Sequence, residues 1–195
     1  MRVIAGKARR LLLKSTPGFD TRPTSDKIKE TLFNILQPDI PGSRFLDLFS
    51  GSGGIGIEAL SRGSSRCVFV ENNKKAVQVI QENLEHTHLN EYAEVMPANA
   101  VTAIHTLGLR REQFDIVYID PPYSKGYEEP VLDALAQAGI VTPDTQVIIE
   151  ADIHNRLDFL QSRPDSPFAV VRNKVYKTNQ HYFLQLKGGG TADTV

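Results

Sequence analysis

The 195-residue sequence predicts an α/β fold on a mostly parallel sheet, from three observations. Apolar runs of four to seven residues alternate with helical stretches, a glycine-rich turn follows the first core run, and after Pro164 the pattern changes to two adjacent strand-like runs.

In chain order, Val3–Lys14 is expected as a small hairpin turning at Gly6-Lys7, and Thr24–Leu36 as a helix capped by Thr24 or Ser25, with Pro38 just past its end. Both are additions before the core. The core strands are read at Phe45–Phe49, Cys67–Val70, Ala93–Met96, Phe114–Ile119 and Gln146–Ile149, whose near-continuous apolar character suits strands covered on both faces. Between them, Ile55–Arg62, Lys74–His86 and Glu129–Ala138 read as helices. In the second, Ala76, Val77, Ile80 and Leu84 make one face, and in the third Val131, Leu132, Leu135 and Ala138 do. Phe168–Tyr176 and His181–Leu186, joined by Lys177-Thr178-Asn179-Gln180, read as a closing antiparallel hairpin and bring the strand count to seven. A single domain over 1–187 is expected, with a 1–40 extension on a 41–187 core; 188–195 lacks apolar residues beyond Ala192 and Val195 and is expected as a disordered tail.

Hydrophobic residues at 41% and charged residues at 23% are ordinary for a soluble chain. No apolar run approaches the roughly 20 residues of a bilayer span, and Leu11–Leu13 is too short for a secretory h-region. With a single cysteine, Cys67, inside an apolar run, a cytoplasmic, monomeric protein without membrane association is expected. The net charge of -1 conceals a basic N-terminal segment. Arg2, Lys7, Arg9 and Arg10 in particular make a candidate contact for nucleic-acid phosphates. The five histidines show no metal-ligand spacing, so surface or packing roles and no metal are expected.

Asp47-Leu48-Phe49-Ser50-Gly51-Ser52-Gly53-Gly54-Ile55-Gly56 leaves a strand and opens a helix, so a ligand can approach both the backbone and the helix N-terminus. Gly51, Gly53 and Gly56 satisfy G-x-G-x-x-G, and Glu71 ends the next strand where an acid binds ribose hydroxyls. A nicotinamide-dependent oxidoreductase would share these features. However, a carboxylate at Asp47 is an awkward neighbour for a pyrophosphate and suits a cofactor with a cationic amino-acid group, which favours S-adenosylmethionine. The second constellation, Asp120-Pro121-Pro122-Tyr123, follows the Phe114–Ile119 strand at the carboxyl end of the sheet. Two prolines hold the chain extended, a fixed carbonyl and the Asp120 carboxylate can accept hydrogen bonds from an NH2 group, and Tyr123 can stack on the ring bearing it. Proximity to a methyl sulfonium then supplies much of the rate.

These motifs resemble known ones. The glycine turn with Asp47 and Glu71 is similar to the first cofactor motifs of class I methyltransferases, and Asp120 to Tyr123 to the D/N-P-P-Y/F/W motif of enzymes that methylate exocyclic or amide nitrogens. Together with Met1–Gly6 and the stretch Arg22 to Leu36, they make the chain resemble, from Arg2 to Leu186, the RsmD family of 16S ribosomal RNA guanine-N2 methyltransferases. The resemblance implies a Rossmann-like class I methyltransferase fold and S-adenosylmethionine as cofactor. It also implies transfer of one methyl group to a guanine N2 amine in 16S ribosomal RNA, on the assembled or assembling small subunit. It implies catalytic roles for Asp120, Pro121, Pro122 and Tyr123. Cofactor contacts are implied at Asp47, Ser50, Gly51, Gly53, Gly56, Glu71, Asn72, Asn99 and Ala100, and a pocket wall at Arg22, Pro23 and Thr24. Related enzymes carry an acidic residue where Asn99 stands, and Asn can accept a similar hydrogen bond. DNA adenine N6 and protein glutamine N5 are alternative targets by the same amine chemistry, and a non-catalytic RNA-binding module is the contrasting class.

Overall fold

In a computed structural model, residues 1–15, 26–122, 126–163 and 165–188 are described. Helix α1 (Asp26–Leu36) precedes the alternation β1 (Arg44–Leu48), α2 (Gly54–Ser61), β2 (Arg66–Val70), α3 (Lys74–Thr87), β3 (Ala93–Met96), α4 (Ala100–Leu109), β4 (Ile116–Ile119), α5 (Glu128–Ala138), β5 (Gln146–Asp152). A short helix α6 (Asp158–Ser162) leads into β6 (Phe168–Val175) and β7 (Asn179–Leu186). The seven strands form one sheet in the order β3-β2-β1-β4-β5-β7-β6. All neighbours are parallel up to β5, and β7 pairs antiparallel with both β5 and β6. The order reverses between β1 and β4, so the crevice beyond the carboxyl ends of these two strands is where a sheet of this type takes ligands.

Strand alternation sorts the core into two layers. Leu46, Leu48, Val68, Val70, Val117, Ile119, Val147 and Ile149 face α4 and α5. Phe45, Phe69, Ile116, Tyr118, Ile148 and Phe183 face α1, α2 and α3. Asp47, between Leu46 and Leu48, therefore points into the second layer, toward the start of α2. Helix α3 is started by Asn73, whose side chain accepts the Lys75 and Ala76 amides, and is stopped by His88 in the left-handed conformation.

The seven-stranded, mostly parallel sheet matches the sequence expectation, with differences that include the short helix α6, which the sequence did not suggest, and a β7 that begins at Asn179, inside the expected link. Helix α4 was not read from the sequence: its moment is spread by Ala100, Val101, Ala103, Ile104, Leu107 and Leu109, so no single polar face signals it, and its start depends on Asn99 accepting the Thr102 amide at 2.9 Å. The N-terminal hairpin is looser than a tight turn at Gly6-Lys7. The Val3 amide donates to the Leu11 carbonyl and the Arg10 amide to the Val3 carbonyl, Arg2 bridges Leu12, and the segment between them turns twice, with positive φ at Gly6 and at Arg10. What holds that segment is Ser61, which bonds Ala5, Lys7 and Ala8 and draws the loop onto the end of α2. The expected helix caps Thr24 and Ser25 and residues 189–195 of the expected tail lie outside the described residues. Among the described residues no helix is long and apolar enough to cross a membrane.

Candidate active site

Asp47 is the penultimate residue of β1 and is 2% exposed. Its Oδ2 accepts the Gly56 amide, in the first turn of α2, at 3.0 Å. Burial, with the nearby Glu71 charge adding to it, pushes its carboxyl up to about 7 against the opposing pull of that amide. Among the described residues no cation pairs with the Asp47 carboxylate, and a cationic group arriving beside it would restore full ionisation.

The turn after β1 is held from below. Ser50 donates its hydroxyl to the carbonyls of Asp47 (2.6 Å) and Val70 (3.2 Å), and its own carbonyl accepts the Gly53 amide. The Ser50 hydroxyl is therefore spent on shaping the loop. Gly51 has φ +55, and a Cβ placed on it would meet nothing within 4 Å, so the turn presents bare backbone to open space. Gly56 serves the opposite purpose: a Cβ there would lie 2.3 Å from the Phe69 ring and 2.6 Å from the Cys67 sulfur. Its lack of a side chain lets α2 sit down on β2 and brings its amide to Asp47. Cys67 is buried, as its apolar run implied.

Glu71, directly after β2, spans the turn from the other side. One of its oxygens accepts the Gly51 amide at 2.9 Å and the other the Asn73 amide at 2.8 Å. An ionised carboxylate has about four acceptor sites, so both oxygens can still receive hydroxyl donors. Asn72 is exposed beside it, and Ala100 lies at the start of α4. Asn99 is exposed, but its oxygen is already accepting the Thr102 amide, which leaves its NH2 as the more available group.

Asp120 follows β4 directly, and its amide reaches the carbonyl of Leu48 at the end of β1 over a long 3.4 Å contact. The amine-gripping sequence and the glycine turn thus leave adjacent strands side by side. Pro121 is buried and Pro122 exposed, so the chain turns outward there. Burial, then the Glu150 and Asp47 charges, hold the Asp120 carboxyl well above the usual carboxylate range. Tyr123, Arg22, Pro23 and Thr24 lie outside the described residues.

The four basic candidates are differently placed. Arg2 donates to Asp26 at 2.7 Å, and Lys7 lies 5.6 Å from the centre of the Tyr92 ring. Arg9 and Arg10 are exposed and line a recess of about 280 Å³ shared with Asp26 and Glu30.

Sequence reading passed over a set of buried groups next to Asp120. Tyr118 on β4 donates its hydroxyl to Glu150 on β5, which also receives Asn179 Nδ2 at 2.6 Å and stands 3.2 Å from His181 Nε2. The signal was the single charge inside the apolar run Val147-Ile148-Ile149-Glu150-Ala151, two positions from Ile148 and so on its face. The expectation for His181 was a surface or packing role, and here it is wholly buried in a polar cluster.

A seven-stranded sheet of this order, with a glycine turn after β1, an acid after β2 and Asp-Pro-Pro after β4, has the architecture of a class I methyltransferase. Over residues 1–185 the chain matches the family described as Conserved hypothetical protein 95, the RsmD family, and it belongs to that family. It is 40% identical over 152 residues to "Putative rRNA methyltransferase YlbH" of Bacillus subtilis, covering 78% of this chain and 83% of that one. It is 30% identical over 195 residues to "Ribosomal RNA small subunit methyltransferase D" of Escherichia coli, covering 99% and 93%. Among solved structures, "Putative methyltransferase yhhF from Escherichia coli" superposes with a TM-score of 0.79 at 30% identity, covering 95% of this chain and 97% of that one.

Proposed function

We propose that this chain transfers one methyl group from S-adenosylmethionine to the exocyclic N2 amine of a guanine in 16S ribosomal RNA, with the assembled or assembling small subunit as substrate. Methylation of ribosomal RNA by an S-adenosylmethionine-dependent enzyme follows from the family and its named relatives. The target atom is the finer part of the reading, and guanine is the base that the family resemblance assigns.

The observation that carries the reading is the adjacency of Asp120 to the end of β1, which sets an amine acceptor beside the cofactor turn. The residues fit the cofactor. Asp47 supplies a buried negative charge near which a cationic amino-acid group would be drawn. Glu71 offers acceptors for ribose hydroxyls, and the bare backbone at Gly51 permits close approach. Asn72, Ala100 and the Asn99 NH2 complete the set on the side of the turn nearer β3.

When bound, the cofactor supplies an electrophilic methyl group on a sulfonium: the sulfur–carbon bond breaks with its electron pair kept by sulfur, and a nitrogen–carbon bond forms. The chain orients the nitrogen. Asp120 and the carbonyls before the prolines accept the two amine hydrogens, so electron density rises on nitrogen as it attacks. The raised Asp120 carboxyl is suited to take the proton that the methylated nitrogen sheds and pass it to water. The family resemblance assigns Tyr123 to stacking on the exposed base and Arg22, Pro23 and Thr24 to the wall of its pocket. Lys7, Arg9 and Arg10 are available to hold backbone phosphates of the bound RNA.

The test is methyl transfer from labelled S-adenosylmethionine to unmodified small subunits, protein-free 16S ribosomal RNA and duplex DNA, followed by nucleoside identification. N2-methylguanosine from the subunits is the expected product. N6-methyladenine in the DNA arm, or label only on a protein glutamine, would overturn the reading.

A further inference from the structure

The polar groups behind Asp120 form one line across the sheet. Ile119 is in register with Ile149, so Asp120 stands level with Glu150; Glu150 is in register with His181, and His181 with Lys174 of β6. Period-2 alternation places Tyr118, Glu150 and His181 on the layer that also holds Asp47. Glu150 is 4% exposed and His181 0%. The second ring nitrogen of His181 lies 3.2 Å from the Tyr176 hydroxyl, and the ring meets Tyr118 and Tyr176 edge-on. An ionisable cluster taken out of water is costly and is often no better for stability than well-packed apolar residues. Such clusters gather where a neighbouring group's protonation matters.

We propose that Glu150 and His181 are positioning residues of the methyl-transfer site, acting through the charge that they jointly present to Asp120. The proposal rests on the assignment of Asp120 to the amine. Asp120 accepts the amine hydrogens best as a carboxylate, and the carboxylates facing it are Asp47 from β1 and Glu150 from β5. Burial pushes Glu150 up, but the bonds from His181, Tyr118 and Asn179 outweigh it and hold Glu150 below its usual range. Glu150 is thus a fixed negative charge beside Asp120, and a proton on His181 offsets it. Around His181 the titratable or charged neighbours are Glu150 on β5, Tyr118 on β4, Tyr176 in the turn before β7, and Lys174 opposite it on β6. A tyrosine hydroxyl both donates and accepts, so the ring can hold one proton or two with each nitrogen matched. A second proton on the ring would offset the Glu150 charge, and Asp120 would then keep its own charge further into acid than its surroundings otherwise permit.

The full-length protein labelled with carboxyl-13C aspartate gives a direct reading: the Asp120 resonance, assigned by its loss in Asp120→Asn, is followed through pH in the wild type, Glu150→Gln and His181→Gln. Glu150→Gln removes the like charge, and the Asp120 midpoint falls by roughly one pH unit. His181→Gln keeps a donor for Glu150 but never a positive charge, and the midpoint rises. The acid limb of kcat on small subunits moves in the same two directions, while the Kd for S-adenosylmethionine stays within about twofold. A purely structural role would lower the melting temperature of both variants and leave both midpoints where they are, and that result, or a shift of both in one direction, overturns the proposal. The resonance titration needs no acceptor. Opposed midpoint shifts with unlabelled subunits would sink the substrate assignment alone, and N2-methylguanosine with unmoved midpoints would sink the coupling alone.

Discussion

The Asp47 carboxylate accepts the amide of Gly56, nine residues further along the chain, at 3.0 Å, and this one bond ties the end of β1 to the first turn of α2. It is also the only bond to its side chain that is described, which is too little for a buried carboxylate. The group's pKa accordingly rises from 3.8 to about 7 on folding. The sign follows: a carboxyl whose folded pKa is raised binds its proton more tightly in the folded state, so its stability contribution is full below the unfolded value and is lost as pH rises through about 7. The cofactor-free protein should therefore become less stable between about pH 4 and pH 8, by on the order of 4 kcal/mol from this group. Asp47→Asn should remove that slope. Chemical denaturation as a function of pH checks both, and an unchanged slope in the variant would refute the assignment.

The same group predicts how cofactor affinity varies with pH. A cation beside Asp47 favours its ionised form, so below about 7 binding must displace a proton. Affinity for S-adenosylmethionine should rise about tenfold per pH unit up to that point and then level off. Calorimetric titrations in buffers of different ionisation enthalpy would show about one proton released at pH 6 and almost none at pH 8.5.

Gly56→Ala separates shape from charge. The added methyl has to displace the Phe69 ring and the Cys67 sulfur, which raises α2 from β2 and draws the Gly56 amide away from Asp47. A loss of about 1–3 kcal/mol in stability and a weakened cofactor affinity are expected together. Gly51→Ala meets no atom, and its cost is confined to the positive φ, on the order of 1 kcal/mol. Equal losses from the two substitutions would contradict this contrast.

How far the sequence led can be argued from these residues. Asp47, Glu71, the glycines and Asp120 were legible because each lies at a fixed offset from an apolar strand, and strand ends are set by local pattern. The register of the sheet was not legible, because it arises from pairings between distant segments, from 22 residues apart (Arg44 with Arg66) to 71 (Phe45 with Ile116). The Asp120, Glu150 and His181 line exists only in that register, so no local window of sequence could reveal it. Ser50 and Asn99 show a different limit. Both were expected as cofactor contacts, yet their side chains are engaged with backbone groups, and sequence spacing does not tell a ligand contact from a cap.

Asp120→Asn and Asp120→Ala should both lose catalysis without losing the cofactor. Asn keeps one acceptor but cannot take a proton, and Ala keeps neither function. We expect kcat to fall by at least about 100-fold in the first and further in the second, with the Kd for S-adenosylmethionine changed by less than about threefold. Parallel loss of cofactor binding would mean that Asp120 belongs to the cofactor pocket and not to the amine.

The N-terminal segment is fixed to the core by a second buried charge, and its dependence on Glu58 can be tested through stability. The Lys29 and Glu58 side chains are both fully buried, 3.2 Å apart. Glu58 further accepts the amides of Ile4 and Ala5 and the Arg62 guanidinium, and Lys29 donates to the Arg2 carbonyl. Burial lowers the Lys29 pKa, and Glu58 works to restore it. Glu58→Ala would leave a buried lysine without its counter-charge and two backbone amides without their acceptor, and should cost about 3–5 kcal/mol. Lys29→Met fills similar space and leaves Glu58 with three donors, so it should cost markedly less, about 1–2 kcal/mol. Because residues 2–5 hang on Glu58, its loss should also release the basic loop carrying Lys7, Arg9 and Arg10. Limited proteolysis should then cut that loop faster in Glu58→Ala than in a variant of matched stability altered elsewhere in the core, and affinity for ribosomal RNA should weaken while cofactor binding persists. The reverse ranking, with Lys29→Met the more damaging, would show that the lysine and not the glutamate is the centre of this cluster.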